Sequence, residues 1–295
     1  MIGIFDSGVG GLTVMKEFLK RFPDFDYLYL GDQANVPYGS RSPELINRLV
    51  EKNAAWMIQH GCQLIIIACN TASAEALRHA QQIYKGTPVI LGVLVPAVEA
   101  ALAATKNGNI GVIGTRGTIA SHAYEREIAK RAGVIEGANN SNRKGEDVGV
   151  KGEGEDVDPR LQYGMTRVYP EACPLLVPLI EEGWAEKPET TMILKKYLRP
   201  LKSCHIDTLI LGCTHYPILE KKIRRIMGKN VAIVNSGEAS AEAMKSYLDR
   251  HPDVCSELTR NSEHKFYTTD DPERLNEQGL LFLGKKIKAQ KAEIC

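Results

Sequence analysis

The sequence predicts an α/β protein with two similar parallel-sheet domains and an active site in the cleft between them. Short apolar runs alternate with helical patterns along residues 1–113. This alternation is typical of βαβ units with right-handed crossovers. The run LIIIA at 64–68 is continuous and β-branched, as in strands that are buried on both faces of a parallel sheet. Two pairs of segments also recur in the same order, which indicates two related units.

The individual elements follow from these patterns in chain order. Strands are predicted at residues 1–5, 27–30, 64–68, 89–91 and 110–113. Helices are predicted at residues 12–21, 43–60, 74–84 and 96–105. The first helix places Leu12, Met15, Phe18 and Leu19 on one face, which is the spacing of a buried helical stripe.

The internal repeat pairs IGIFDSGVGGLTV at residues 2–14 with IGVIGTRGTIA at 110–120, and QLIIIACNTA at 63–72 with DTLILGCTHY at 207–216. Each half therefore has a strand with a Gly-rich turn, followed by a strand that ends in a cysteine and two polar residues. We assign residues 1–96 plus 210–295 to the first domain and residues 97–209 to the second. Residues 136–168 are rich in glycine and charge, and we interpret them as an inserted loop or exposed hairpin of the second domain.

Composition and apolar run length argue against a nucleic-acid-binding or membrane-spanning protein. The chain has 295 residues, with 37 Lys and Arg against 36 Asp and Glu. This balance gives no electrostatic reason to expect a nucleic-acid partner. The longest apolar stretch, residues 88–98, is too short to span a membrane, and the first residues lack the basic lead of a signal peptide. We expect a cytoplasmic protein.

The seven cysteines are widely spaced, with neither a CxxC pair nor the spacing of metal ligands. We therefore expect reduced thiols and no metal. Two of them, Cys69 and Cys213, end buried strands at matching places in the repeat. Strand carboxyl ends line the ligand crevice of open α/β sheets, and a helix N-terminus favours a thiolate. A buried cysteine is more often a small apolar residue, but the matching pair favours a functional interpretation.

Two thiols that face each other across a cleft can invert the configuration of a carbon atom that is bound between them. One removes a proton from one side, and the other adds a proton on the opposite side. Because a free thiol has a pKa of about 8.5, it needs a partner that takes its proton. His215 is a candidate, as is Asp6 at the end of the first strand; Ser7 follows Asp6, and Asp32 begins the polar loop after the second strand. Each has a structural alternative, namely a helix cap, a turn or a packed side chain.

The chain resembles a known family, the glutamate racemases of the Asp/Glu racemase superfamily. The matching motifs span nearly the whole chain and are IGIFDSGVGGLTV, GDQANVPYGSRS, LIIIACNTASA, GVLVPAVEAA, IGVIGTRGTIASHAY, ACPLLVPLIEEG, DTLILGCTHYPIL and FYTTDDPERL. The resemblance implies interconversion of L- and D-glutamate without a cofactor, which supplies D-glutamate for peptidoglycan synthesis. It also implies a homodimer.

The resemblance also implies roles for individual residues. Cys69 acts on D-glutamate and Cys213 on L-glutamate, with Asp6 assisting the first thiol and His215 the second. Asp32 and Glu181 match supporting acidic positions. The residues that match substrate-binding positions are Asp6, Ser7, Tyr38, Gly39, Asn70, Thr71, Thr214 and His215. The alternatives are a racemase for aspartate or another amino acid, an amino-acid-binding module without turnover, and a thiol redox protein.

Overall fold

The computed structural model describes residues 1–86, 88–139, 162–163 and 166–294. In chain order the strands are β1 (Ile2–Asp6), β2 (Tyr27–Gly31), β3 (Leu64–Ile67), β4 (Val89–Gly92), β5 (Asn109–Gly114), β6 (Gln162–Tyr163), β7 (Thr166–Ala172), β8 (Thr208–Gly212), β9 (Ala232–Asn235), β10 (His264–Thr268) and β11 (Ala289–Lys291). The predicted strands in residues 1–113 are all present.

The helices are α1 (Gly11–Arg21), α2 (Pro43–Gln59), α3 (Asn70–Ile83), α4 (Leu94–Ala104), α5 (Arg116–Ala120), α6 (Ala123–Asn139), α7 (Leu176–Glu181), α8 (Pro188–Ser203), α9 (Glu220–Met227), α10 (Ser236–Arg250), α11 (Pro252–Glu257) and α12 (Pro272–Phe282). Helix α2 begins with a Ser42 side-chain cap and Pro43 in its first turn, which is a favoured helix start. Helix α3 begins four residues before the predicted 74, because Cys69 caps it directly after β3. No described helix is long and apolar enough to cross a membrane.

The strands form two sheets, as the sequence predicts. The first has the order β11-β10-β2-β1-β3-β4, and all its pairs are parallel. The second has the order β6-β7-β5-β8-β9 and is parallel except for the short antiparallel pair of β6 and β7. Strand β3 is buried along its whole length, so its continuous apolar run fits a strand covered on both faces.

The corresponding strands of the two sheets are paired in equivalent register. Ile2 pairs with Leu64 in the first sheet, and Ile110 pairs with Thr208 in the second. Cys69 follows Leu64 by the same number of residues as Cys213 follows Thr208. The Gly-turn strand and the cysteine strand are therefore neighbours in both halves, and the two thiols occupy equivalent places at the strand ends.

The sheets divide the chain differently from the predicted domain boundaries. Strand β8 pairs with β5, and β9 pairs with β8, so residues 208–235 carry strands of the second sheet. A boundary at 209/210 cuts through β8. Sequence order alone does not show which sheet a buried strand joins, because parallel strands in both sheets have the same apolar pattern. We propose instead that the first domain resumes after β9, with α10 packed against both α1 and α4.

The predicted loop at 136–168 is corrected at both ends. Residues 136–139 continue α6, and residues 166–168 begin β7. The side chain of Val168 is buried beside β5, so this end belongs to the core of the second sheet. Residues 140–161, the greater part of the predicted loop, lie outside the described residues.

Candidate active site

A cavity of about 420 Å³ lies where the carboxyl ends of the two sheets meet. Residues one or two positions after the ends of β1, β3, β5, β7 and β8 contribute to its wall. Of the predicted site residues, those that line it are Ser7, Tyr38, Gly39, Cys69, Asn70, Thr71, Glu181, Cys213, Thr214 and His215. Asp6 and Asp32 are buried behind the wall. The structure thus brings the two thiols of the repeat to one cavity.

On one wall, Cys213 forms a relay with a histidine and a carboxylate. Its Sγ lies 3.9 Å from Nδ1 of His215, and Nε2 of the same ring lies 2.9 Å from Oε1 of Glu181. Burial opposes charge on the ring, but hydrogen bonds to Cys213 and Glu181 raise the pKa of His215 to about 10. The Phe282 ring packs edge-on against the imidazole at 5.3 Å. An imidazolium held here stabilises negative charge on the Cys213 sulfur.

Glu181 ends helix α7 and is the outer member of this relay. Partial burial opposes ionisation, but the hydrogen bond and positive charge of His215 lower the pKa of Glu181 below its usual range. The carboxylate is therefore charged at neutral pH and orients the ring so that Nδ1 faces the thiol.

On the other wall, Cys69 caps helix α3. Its Sγ accepts a hydrogen bond from the backbone N–H of Ala72 at 3.5 Å. Burial and the nearby charges of Asp6 and Cys213 raise the pKa of Cys69 to about 12, although Ser7 and the Ala72 N–H oppose this shift. Cys69 is thus a thiol at neutral pH, whereas Cys213 has an imidazolium partner. The two thiols therefore differ in their immediate partners.

Asp6 lies at the end of β1 behind Cys69 and is completely buried. Its carboxylate accepts hydrogen bonds from Gly8 N at 3.0 Å and Thr214 Oγ1 at 3.4 Å. Burial raises the pKa of Asp6 above its ordinary value. A carboxylate with a raised pKa is a stronger base, which suits a group that takes a proton from a neighbouring thiol.

Asp32 is the centre of a buried hydrogen-bond network and does not face the cavity. Its Oδ2 accepts from the Tyr38 hydroxyl at 2.5 Å and from Asn53 at 3.2 Å. Its Oδ1 accepts from Asn35 at 2.9 Å and Thr269 at 2.8 Å. Because four donors already satisfy it, Asp32 holds the ring of Tyr38 in the wall and has no lone pair directed at a substrate.

Three threonines join the two halves beside the cavity. The hydroxyl of Thr71 lies 3.0 Å from that of Thr115 and 2.9 Å from that of Thr118, and the last two are 3.0 Å apart. The halves also approach closely at Gly39, where a Cβ atom would lie 2.8 Å from Thr115 Oγ1. A larger residue at 39 therefore requires the Thr115 side chain to shift.

The sequence did not point to several residues that line the cavity, among them Ser40, Thr115, Arg116 and Cys173. The repeat contains a signal for two of them. Thr115 follows β5 as Ser7 follows β1. Cys173 occupies in the second sheet the register position that Asp32 has in the first. Among the described residues, no group of three His, Cys, Asp or Glu side chains is placed to hold a metal ion.

The two parallel sheets and the two thiols that line one cavity place the protein in the class of α/β isomerases. The family model for Asp/Glu/hydantoin racemases matches residues 12–162. A glutamate racemase of Geobacter metallireducens is 38% identical over 97% of this chain and 93% of its own. The protein belongs to the Asp/Glu/hydantoin racemase family.

Solved structures agree with this family. A glutamate racemase of Bacillus anthracis superposes with a TM-score of 0.83, at 32% identity over 100% of this chain and 97% of its own. A glutamate racemase of Francisella tularensis in complex with D-glutamate has a TM-score of 0.80, at 31% identity over 99% of this chain and 97% of its own. The two-sheet fold predicted from the sequence is confirmed.

Proposed function

We propose that the protein interconverts L- and D-glutamate, with Cys69 and Cys213 as the two proton carriers. The observation that supports this most strongly is that two thiols at equivalent strand ends line one cavity of about 420 Å³. Similarity to glutamate racemases along nearly the whole chain supports glutamate as the substrate. The alternatives are aspartate or another amino acid, or binding without turnover. A binding module needs neither thiol.

The two walls have complementary roles in the proposed reaction. From L-glutamate, the Cys213 thiolate removes the α-proton while His215 carries the positive charge that stabilises the sulfur. Cys69 then donates its proton to the opposite face and gives D-glutamate. Asp6 accepts the Cys69 proton when the reaction runs from D-glutamate. Each turnover exchanges the protonation states of the two thiols, so a proton must return from Cys213 to Cys69, through His215, Asp6 or solvent, before the next turnover in the same direction.

The amino acid's polar groups have matching partners in the wall. The neutral donors are the side chains of Ser7, Asn70, Thr71 and Thr214, and Tyr38 and Gly39 also line the cavity. Donors placed around a carboxylate stabilise the negative charge that develops when the α-proton leaves. We propose that Asp32 acts through Tyr38 and that Glu181 acts through His215, so both are positioning residues. We propose that neither a metal nor another cofactor takes part.

The test is racemisation in heavy water. Purified, reduced protein with a metal chelator and no added cofactor is incubated with L-glutamate, and optical rotation is followed together with deuterium at the α-carbon. We expect rotation to decay to zero while deuterium enters the product. Conversion of aspartate with glutamate left unchanged overturns the substrate assignment. Glutamate binding without deuterium exchange supports the binding module instead.

We also propose that the protein supplies D-glutamate for peptidoglycan in the cytoplasm and acts as a homodimer. Reduced thiols are required by the mechanism, and all the described cysteines are free. Two large apolar side chains near the cavity, Leu175 and Trp184, are 52% and 44% exposed, which favours an interface. Sedimentation velocity distinguishes a dimer from a monomer. A D-glutamate requirement after gene deletion tests the cellular role.

A further inference from the structure

The oxygen and the nitrogen of the buried Asn70 side-chain amide differ in their hydrogen bonding. It is the first residue of α3, is 2% exposed, and lines the cavity. Its Oδ1 is hydrogen-bonded, but its Nδ2 has no partner among the described residues. An unpaired buried donor lowers stability, and a ligand acceptor in the cavity removes that cost. A carboxylate oxygen is such an acceptor.

The orientation of this amide is set from the other half of the molecule. Tyr124, on α6, donates its hydroxyl proton to Asn70 Oδ1 at 2.6 Å. Ser236, at the start of α10, lies 3.4 Å from the same oxygen, but its shorter contact, at 2.8 Å, is to the carbonyl of Leu211. Tyr124 therefore supplies the main hydrogen bond to Oδ1. Tyr124 is fully buried, and burial raises its pKa well above the usual range, so the phenol remains a donor.

We propose that Tyr124 is a positioning residue for substrate binding, which fixes the Asn70 amide so that Nδ2 faces the carboxylate of the bound amino acid. This inference rests on the proposed function. If the Asn70 side-chain amide were flipped, its oxygen would face the carboxylate and repel it. Tyr124 belongs to the second half and Asn70 to the first, so the hydrogen bond also links substrate binding to the relative position of the halves.

The test compares Tyr124→Phe with Tyr27→Phe as a matched control. Tyr27 is also fully buried and gives its hydroxyl to the Phe22 carbonyl at 3.0 Å, on residues that do not line the cavity. One net hydrogen bond corresponds to about a fivefold change in an equilibrium constant. We expect Tyr124→Phe to raise KM about fivefold for both enantiomers with kcat within about twofold. Tyr27→Phe lowers the thermal midpoint and leaves KM unchanged.

A double-mutant comparison separates positioning from general damage. In an Asn70→Ala background, adding Tyr124→Phe should not raise KM further, because the amide that Tyr124 orients is absent. Equal effects of Tyr124→Phe in both backgrounds, or an unchanged KM in the single variant, overturn the inference.

A second readout does not depend on turnover. The side-chain amide signals of Asn70 in an NMR spectrum are identified by their loss in Asn70→Asp. We expect them to shift or broaden in Tyr124→Phe and to remain in place in Tyr27→Phe. If wild-type protein does not racemise glutamate, the proposed function fails, while this spectrum still decides whether Tyr124 orients the amide. Unchanged Asn70 signals in Tyr124→Phe contradict the positioning role.

Discussion

Nε2 of His215 lies 2.9 Å from Oε1 of Glu181, and this contact keeps a positive charge beside the Cys213 sulfur. The contact spans two elements, because Glu181 ends α7 and His215 follows β8. Burial opposes charge on the ring, but its hydrogen bonds to Cys213 and Glu181 outweigh this and raise the pKa of His215 to about 10. The first two predictions follow from this pair.

Glu181→Gln should move the alkaline limb of the kcat/KM profile to lower pH. The substitution removes the charge that raises the pKa of His215, so the ring loses its proton at lower pH and no longer stabilises the Cys213 thiolate. We expect a shift of about one pH unit, measured with L-glutamate between about pH 6 and 11. Glu182→Gln is the control, because Glu182 lines the cavity but has no described hydrogen bond to His215. An unmoved limb excludes the relay.

The same pair predicts how stability depends on pH. The pKa of His215 is raised from its ordinary 6.5 to about 10. The resulting stabilisation is complete below about pH 6.5 and is lost as the pH rises through about 10. The thermal midpoint of Glu181→Gln should therefore be below that of the wild type at pH 6, with a smaller difference at pH 10. A difference that does not change with pH contradicts the charged pair.

Cys69→Ser and Cys213→Ser should each lower racemisation by at least about 10²-fold, because a hydroxyl is a much weaker acid than a thiol. Each variant should still eliminate HCl from a β-chloro analogue, since that reaction needs only one proton carrier. Cys204→Ser, at a free thiol that does not line the cavity, is the control. Chiral chromatography measures the racemisation. Substantial turnover by either of the first two variants would falsify the two-thiol mechanism.

Asp32→Ala should lower the free energy of unfolding by about 3 kcal/mol, because it leaves four donors without their acceptor, two of them buried and two half-buried. We also expect KM to rise as Tyr38 loses its anchor, with kcat reduced less than in the cysteine variants. Urea unfolding and steady-state kinetics measure the two effects. A loss of kcat as large as that of Cys69→Ser indicates direct participation by Asp32.

Asp26 should make the protein sensitive to acid. Burial opposes its ionisation, but hydrogen bonds from Thr259, Glu263 and Asn261 lower its pKa to about 2. Its stabilisation is present above the ordinary value of 3.8 and is lost as the pH falls through about 2. Asp26→Asn should cost about 1–2 kcal/mol at pH 7 and little at pH 2. Thermal midpoints at both pH values measure this, and an equal cost at both contradicts the assignment.

The sequence predicted the two sheets and ten of the residues that line the cavity, among them both thiols. The thiols follow matching buried strands, and one register places both at strand ends. The predicted boundary at 209/210 falls within β8, because an apolar strand does not show which sheet it joins. Tyr124 had no signal, because a buried tyrosine on a helix has the same pattern as any core residue. Its role depends on a contact with Asn70, 54 positions away along the chain.

The two halves are equivalent in register but not in chemistry, since His215 occupies the place that Thr71 has in the first half. Mirror-image amino acids have equal free energies in water, so the ratio kcat/KM must be the same in both directions however unequal the walls are. The difference between the His215 imidazole and the Thr71 hydroxyl can therefore change kcat and KM in each direction, but not the ratio kcat/KM. A direction with faster turnover must also need proportionately more substrate to half-saturate the enzyme.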